Sequence, residues 1–128
     1  MEPGGLVYDC IIPAAGASSR MGAWKPGLPF RDGTILQSVA EAALGAGCRV
    51  LVVAGNRADS IPEALGACLA SFVEVVFNPH WREGMMGSLQ TGMSRVRSTR
   101  FFVLPADMPF APPRAFRELV REAEIRQA

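Results

Sequence analysis

Neither of the two widespread glycine motifs for nucleotides occurs in these 128 residues: there is no GxGxxG and no GxxxxGK[ST]. Metal-binding or disulfide patterns are equally scarce. The chain has one histidine and three cysteines, Cys10, Cys48 and Cys68. With no CxxC pair and with apolar neighbours, the cysteines read as reduced, buried thiols and not as zinc ligands or disulfides. No apolar run reaches the roughly 20 residues that cross a bilayer, and MEPGGLVYDC lacks the basic start of a secretory signal. The expectation is a cytoplasmic protein with no membrane partner. A charge excess is also missing, because 13 Lys+Arg against 12 Asp+Glu leave a formal net charge of +1. No global field therefore favours nucleic acid, and any recognition of phosphate must be local.

What is present is a hydrophobic content of 49%, enough for a single globular domain over residues 1–128 with its own core. Leu6 to Ile12 is a short apolar run of the kind a strand buried on both faces shows. It ends at Pro13 and a small-residue loop. Thr34 is placed to cap a helix with apolar residues at Ile35, Leu36, Val39, Ala40, Ala43 and Leu44, closed by Gly45 and Gly47. Arg49 to Ala54 reads as a second strand. Ser60-Ile61-Pro62-Glu63 has the form of a capping box and predicts a helix to about residue 70. Phe72 to Phe77 predicts a third strand, and Gly84 to Val96 a helix with Leu89, Met93 and Val96 on its inner face. Arg100 to Leu104 predicts a fourth strand, stopping at Pro105-Ala106-Asp107. Pro112-Pro113 opens a last helix with Phe116, Leu119, Val120 and Ala123 inward.

Alternating strands and helices with right-handed crossovers predict an open, mostly parallel, Rossmann-like α/β sheet in three layers, with strand order 3-2-1-4. Ligands of such sheets bind beyond the carboxyl ends of the strands where the order reverses, here between the first and fourth strands. A helix at the end with no strand after it suggests a domain cut short at its C-terminus.

The stretch from Ile11 to Phe30, IIPAAGASSRMGAWKPGLPF, carries most of the chemistry. Ala14, Ala15, Gly16 and Ala17 let backbone N–H groups approach a ligand, Ser18 and Ser19 add hydroxyls, and Arg20 and Lys25 add positive charge. Together they read as a phosphate cradle. The plainer alternative is a small-residue turn with solvated cations.

The run AAGASSRMGAWKPGLPF resembles the signature of nucleotidyltransferases related to the molybdenum cofactor cytidylyl- and guanylyltransferases. The resemblance continues through GTILQSVAEAALGAG, NPHWREGMMGSLQTGM and FFVLPADMPF, and so covers nearly the whole chain. It implies a nucleotide-diphospho-sugar-transferase-like fold whose C-terminal part is missing here. It also implies transfer of a nucleotidyl group from a nucleoside triphosphate to a phosphorylated acceptor, with magnesium as cofactor and pyrophosphate as product. CTP is expected over GTP, and molybdopterin as the acceptor. Ala14, Ala15, Gly16, Ser18, Arg20, Gly22 and Lys25 would hold the triphosphate, with Arg20 and Lys25 stabilising charge in the reaction. Asp107 of PADMP would bind magnesium, Gly87 and Ser88 would lie against base or ribose, and Gly55 and Asn56 would border the base. Asp107 and Ser88 each have a simpler reading as a cap of a turn or helix.

His80, beside Trp81, reads as a surface-loop histidine in preference to a general base, since an ionised phosphoryl acceptor needs none. Met85, Met86, Met93 and Met108 are expected to fill the core before they line a pterin pocket, and Arg95, Arg97 and Arg100 to form a solvated face. Gly27 replaces an aliphatic residue of the family's LLPF-like tail and should loosen the packing behind Lys25. Two other functions stay open: transfer to a sugar phosphate, and binding of nucleotide without turnover as a sensor or cofactor-handling partner. A homodimer over an open sheet edge, or a molybdoenzyme partner, completes the expected interactions.

Overall fold

The computed structural model describes residues 8–15, 24–98, 101–104, 106 and 121, with the backbone alone at 25 and 85. In chain order the strands are β1 (Asp9–Pro13), β2 (Pro29–Phe30), β3 (Gly33–Thr34), β4 (Arg49–Ala54), β5 (Val73–Phe77) and β6 (Phe101–Val103). The helices are α1 (Ile35–Gly45), α2 (Ile61–Leu65), α3 (Ala67–Ala70) and α4 (Met85–Met93). Four strands form one parallel sheet in the order β5-β4-β1-β6, with Cys10 opposite both Val50 and Phe102. This is the expected 3-2-1-4 order.

The two central strands are continuous apolar runs because both of their faces are covered. On one face Cys10, Ile12, Val50 and Val52 pack with Leu36, Val39, Ala40 and Ala43 of α1 and with Ile61 and Leu65 of α2. On the other, Ile11, Leu51 and Val53 pack with Trp81, Val96 and Phe101. Burying each Ile, Leu or Val stabilises the fold by about 1.5–3 kcal/mol, so this alternation sets the strand register. At the amino ends of the strands, buried Asp9 accepts hydrogen bonds from Arg49 Nε (2.7 Å) and from the amides of Arg97 (2.6 Å) and Ser98 (3.1 Å). Arg49 and Arg95 share Glu74, which ties β4, β5 and the approach to β6 together.

Several local expectations change. Thr34 caps α1 as expected, its hydroxyl accepting from Gln37 N at 3.1 Å. The capping box at Ser60 does not form, because Ser60 ends a 3-10 turn from Ala58 and its side chain makes no cap bond. Gly66, at φ 85° and ψ 151°, then splits the expected single helix into α2 and α3. Met93 is 50% exposed, and the inner face of α4 carries Ser88 and Gly92 instead. A Cβ on Gly92 would stand 2.8 Å from Ile11 Cγ2, so the missing side chain is what lets this helix approach the sheet. Met86 is exposed as well, so neither of these two methionines fills the core, while Met108 and the Met85 side chain lie outside the described residues. Cys10 and Cys48 are buried as expected, but Cys68 is exposed on the short helix α3. β2 and β3 form a short antiparallel hairpin around Arg31-Asp32, an addition to the expected elements. The final helix lies outside the described residues apart from helical Arg121.

Candidate functional site

β1 leads into Ala14 and Ala15, both buried just past the carboxyl end of the strand. Hydrogen bonds then link this point across the edge. Ala14 N donates to Val53 O at 2.9 Å, and Asn56 N donates to Ala15 O at 3.3 Å. Gly55 lies in the same contact, where a Cβ would be 2.4 Å from Trp81 Cβ and 2.7 Å from Ala15 Cβ. Such spacing admits only glycine.

One strand further on, Asn78 N donates to Ala54 O at 2.8 Å. The Asn78 side chain is buried, its Oδ1 accepting from His80 N at 2.9 Å and its Nδ2 donating to Ser88 Oγ at 3.1 Å. Ala14, Ala15, Gly55, Asn56, Gly87 and Ser88, chosen from separate parts of the sequence, are therefore joined through one network. Of the last pair, Ser88 is buried and Gly87 is half-buried, so Gly87 presents the accessible surface. Gly16, Ser18, Arg20, Gly22 and Asp107 lie outside the described residues. β6 nevertheless runs beside β1, with Leu104 N donating to Ile11 O at 2.9 Å, and buried Ala106 follows.

Lys25 opens a 3-10 turn, Lys25–Gly27. Gly27 does not leave this turn loosely packed. The indole of buried Trp24 covers it, and a Cβ on Gly27 would meet Trp24 Cε3 at 2.7 Å and Cζ3 at 2.8 Å. Trp24 thus fills space that an aliphatic side chain at 27 would need, and its buried Nε1 has no hydrogen-bond partner among the described residues.

His80 is a surface residue, with its side chain 72% exposed and Nδ1 at 3.1 Å from Glu83. The Arg82 guanidinium lies over the Trp81 ring at 5.0 Å. Among the described residues no group of three or more His, Cys, Asp or Glu side chains could hold a metal ion. Burial raises the Cys10 thiol well above its usual range, and burial followed by the charge of Asp9 pushes Cys48 up to about 12, so neither is an activated nucleophile. The Ala14, Asn56 and Asn78 amides and the Asn78–Ser88 side-chain pair are engaged within the edge, so what it supplies is a fixed frame for a ligand, and charge stabilisation falls to other groups.

Sequence reasoning missed Asn78, Trp24 and Trp81 as structural parts of this edge. Asn-Pro after a strand is a turn signal that could have singled out Asn78. Nothing local indicates that its side chain reaches α4.

A doubly wound parallel sheet with a small-residue carboxyl edge running from β1 over β4 to β5 belongs to the class of α/β nucleotide-binding domains. Residues 10–128 match the family described as the MobA-like NTP transferase domain, and the chain belongs to that family. It is 35% identical over 111 residues to the molybdenum cofactor cytidylyltransferase of Escherichia coli, covering 87% of this chain and 57% of that protein. A nucleotidyl transferase from Methanothermobacter thermautotroptrophicus superposes with a TM-score of 0.81 at 26% identity, covering 92% of this chain and 58% of that one. CMP:2-keto-3-deoxy-manno-octonic acid synthetase, in complex with CTP, gives a TM-score of 0.74 at 25% identity, covering 97% of this chain and 49% of that one. The chain thus spans roughly half to three fifths of the length of these relatives. The parallel sheet and these similarities make the fold Rossmann-like, of the nucleotide-diphospho-sugar-transferase type.

Proposed function

We propose that this chain is the nucleotide-binding part of a nucleotidyltransferase that moves CMP from CTP to molybdopterin and releases pyrophosphate. The observation that carries the reading is the hydrogen-bonded edge that joins Ala14–Ala15, Gly55–Asn56 and Gly87–Ser88, within a chain 35% identical to a cytidylyltransferase. In this reading Gly16, Ser18, Arg20, Gly22 and Lys25 continue from Ala15 as the triphosphate cradle. Gly55, Asn56, Gly87 and Ser88 border base and ribose.

In-line attack on the α-phosphate spreads negative charge over its nonbridging oxygens and the departing pyrophosphate. Arg20 and Lys25 supply fixed positive charge for both, and no protein nucleophile is needed. Removing either cation would lower kcat by about 10²–10³, the loss typical of one oxyanion donor. The acidic residue in this reading is Asp107, as the resemblance of PADMP to the family's motif implies. A hard oxygen ligand of this kind suits magnesium, which binds through one or two carboxylates plus substrate phosphates and supplies charge neutralisation when bound.

The deciding experiment measures pyrophosphate release with CTP, GTP, ATP and UTP, each with magnesium and molybdopterin. Release with CTP above GTP supports the reading. Release only with a sugar phosphate in place of molybdopterin would move the function to that second acceptor class. Binding of a nonhydrolysable CTP analogue without any release would make the chain a nucleotide-binding module. Unchanged magnesium-dependent binding in Asp107→Ala would remove Asp107 from the metal site.

A further inference from the structure

We propose that Asn78 is a positioning residue that sets the width and selectivity of the base slot by holding its two walls together. This inference rests on the reading that Gly55–Asn56 and Gly87–Ser88 border the base. Asn78 is 2% exposed and lies at the end of the outer strand β5, with no place in the phosphate cradle. Its backbone N–H binds Ala54 O, immediately before Gly55. Its side-chain amide binds Ser88 Oγ, immediately after Gly87, and a Cβ on Gly87 would touch the same Nδ2 at 3.6 Å. Its Oδ1 binds His80 N and so fixes the turn that brings Trp81 against Gly55.

Each of these bonds has a separate consequence. The backbone bond fixes one wall to the sheet. The Nδ2 bond fixes the first turn of α4, the other wall, to the same point. Ser88 is itself 2% exposed and its Oγ accepts from Asn78, so its effect on a ligand passes through the placement of half-buried Gly87. Buried polar groups that are each hydrogen-bonded define one geometry, whereas deleting one partner leaves the other unsatisfied.

The test is calorimetric titration of CTP, GTP and their nonhydrolysable analogues into wild type, Asn78→Ala, Ser88→Ala and the double variant, with kcat, KM and thermal melting measured in parallel. Asn78→Ala should bind CTP roughly tenfold more weakly, because it removes both side-chain hydrogen bonds, the one to Ser88 Oγ and the one from His80 N. KM should rise with little change in kcat, and the CTP-to-GTP affinity ratio should fall. Ser88→Ala should shift affinity and ratio in the same direction by a smaller factor, because it leaves the His80 bond in place, and the double variant should be no weaker than Asn78→Ala, because the Nδ2–Ser88 bond is already lost there. A purely structural role would lower the melting temperature and leave the affinity ratio of the folded protein unchanged; that result overturns the proposal. If Asn78→Ala fails to fold, Ser88→Ala decides, since it keeps Asn78 and its backbone bond, and unchanged CTP affinity and ratio there overturn the proposal. If wild type binds no nucleotide, the functional reading itself falls, before any variant is compared.

Discussion

Substituting Gly55 by alanine tests the geometry of the carboxyl edge most directly. The added methyl would lie 2.4 Å from Trp81 Cβ, 2.6 Å from Trp81 Cγ and 2.7 Å from Ala15 Cβ. Two of these atoms are attached to the main chain, so no rotamer change removes them, and either β4 or the Trp81 turn must move. Overpacking of this kind costs about 1–3 kcal/mol. An unfolding entropy of roughly 2.1 cal/mol/K per residue over 128 residues converts that into a fall in Tm of about 4–11 °C. Urea denaturation followed by tryptophan fluorescence gives the loss independently, as a fall in the midpoint at constant slope. Gly87→Ala is the matched control, because among the described residues its Cβ finds no atom nearer than 3.6 Å and it lies inside a helix. There, helix propensity predicts a gain of up to about 1 kcal/mol. If Gly55→Ala matches wild type within about 0.3 kcal/mol, the close approach of Ala15, Gly55 and Trp81 is not as described, and the argument that binds this edge together fails.

Gly27→Ala should destabilise by about 1–3 kcal/mol through its clash with Trp24, and Trp24→Leu in the same background should recover part of the loss; additive losses in chemical denaturation would contradict the packing. Asp9 gives a pH signature: burial opposes its charge, but hydrogen bonds from the Ser98 and Arg97 amides and from Arg49 outweigh it and hold the carboxyl below its usual range. Its contribution is therefore complete above the unfolded value of about 3.9 and is lost as pH falls through the folded value. Asp9→Asn should cost about 3 kcal/mol at neutral pH, the low end for a broken buried pair because Arg49 is 25% exposed, and should flatten the acid limb of the stability curve; an unchanged acid limb would refute this. Thiol labelling of the native protein should modify Cys68 quickly and leave Cys10 and Cys48 until denaturant is added, and equal rates at all three would contradict the burial pattern.

The sheet was legible in the sequence wherever burial on both faces forces a continuous apolar run. Arg49 to Ala54 matches β4 at both ends, and Thr34 caps α1 as its position before an apolar-periodic stretch implies. The edge strand β5 starts one residue later than expected, at Val73, and the capping box at Ser60 yields to a 3-10 turn. Motif signals are local, whereas turn geometry answers to the elements that flank it. The grouping of Ala14, Ala15, Gly55, Asn56, Gly87 and Ser88 could be anticipated, because strand order alone places these segments at one end of the sheet.

What the sequence determined by itself is the parallel α/β order, the small-residue edge and the family, since apolar period and loop composition are properties of contiguous residues. Only the tertiary structure decided that Gly27 is covered by Trp24, that Gly92 is the contact of α4 with Ile11, and that Asn78 joins the two walls of the edge. In the last two cases the partners are far apart in the chain: 81 residues separate Ile11 from Gly92, and 24 separate Ala54 from Asn78. Such contacts depend on how closely the backbones approach after folding, and no local pattern of residue types encodes that distance.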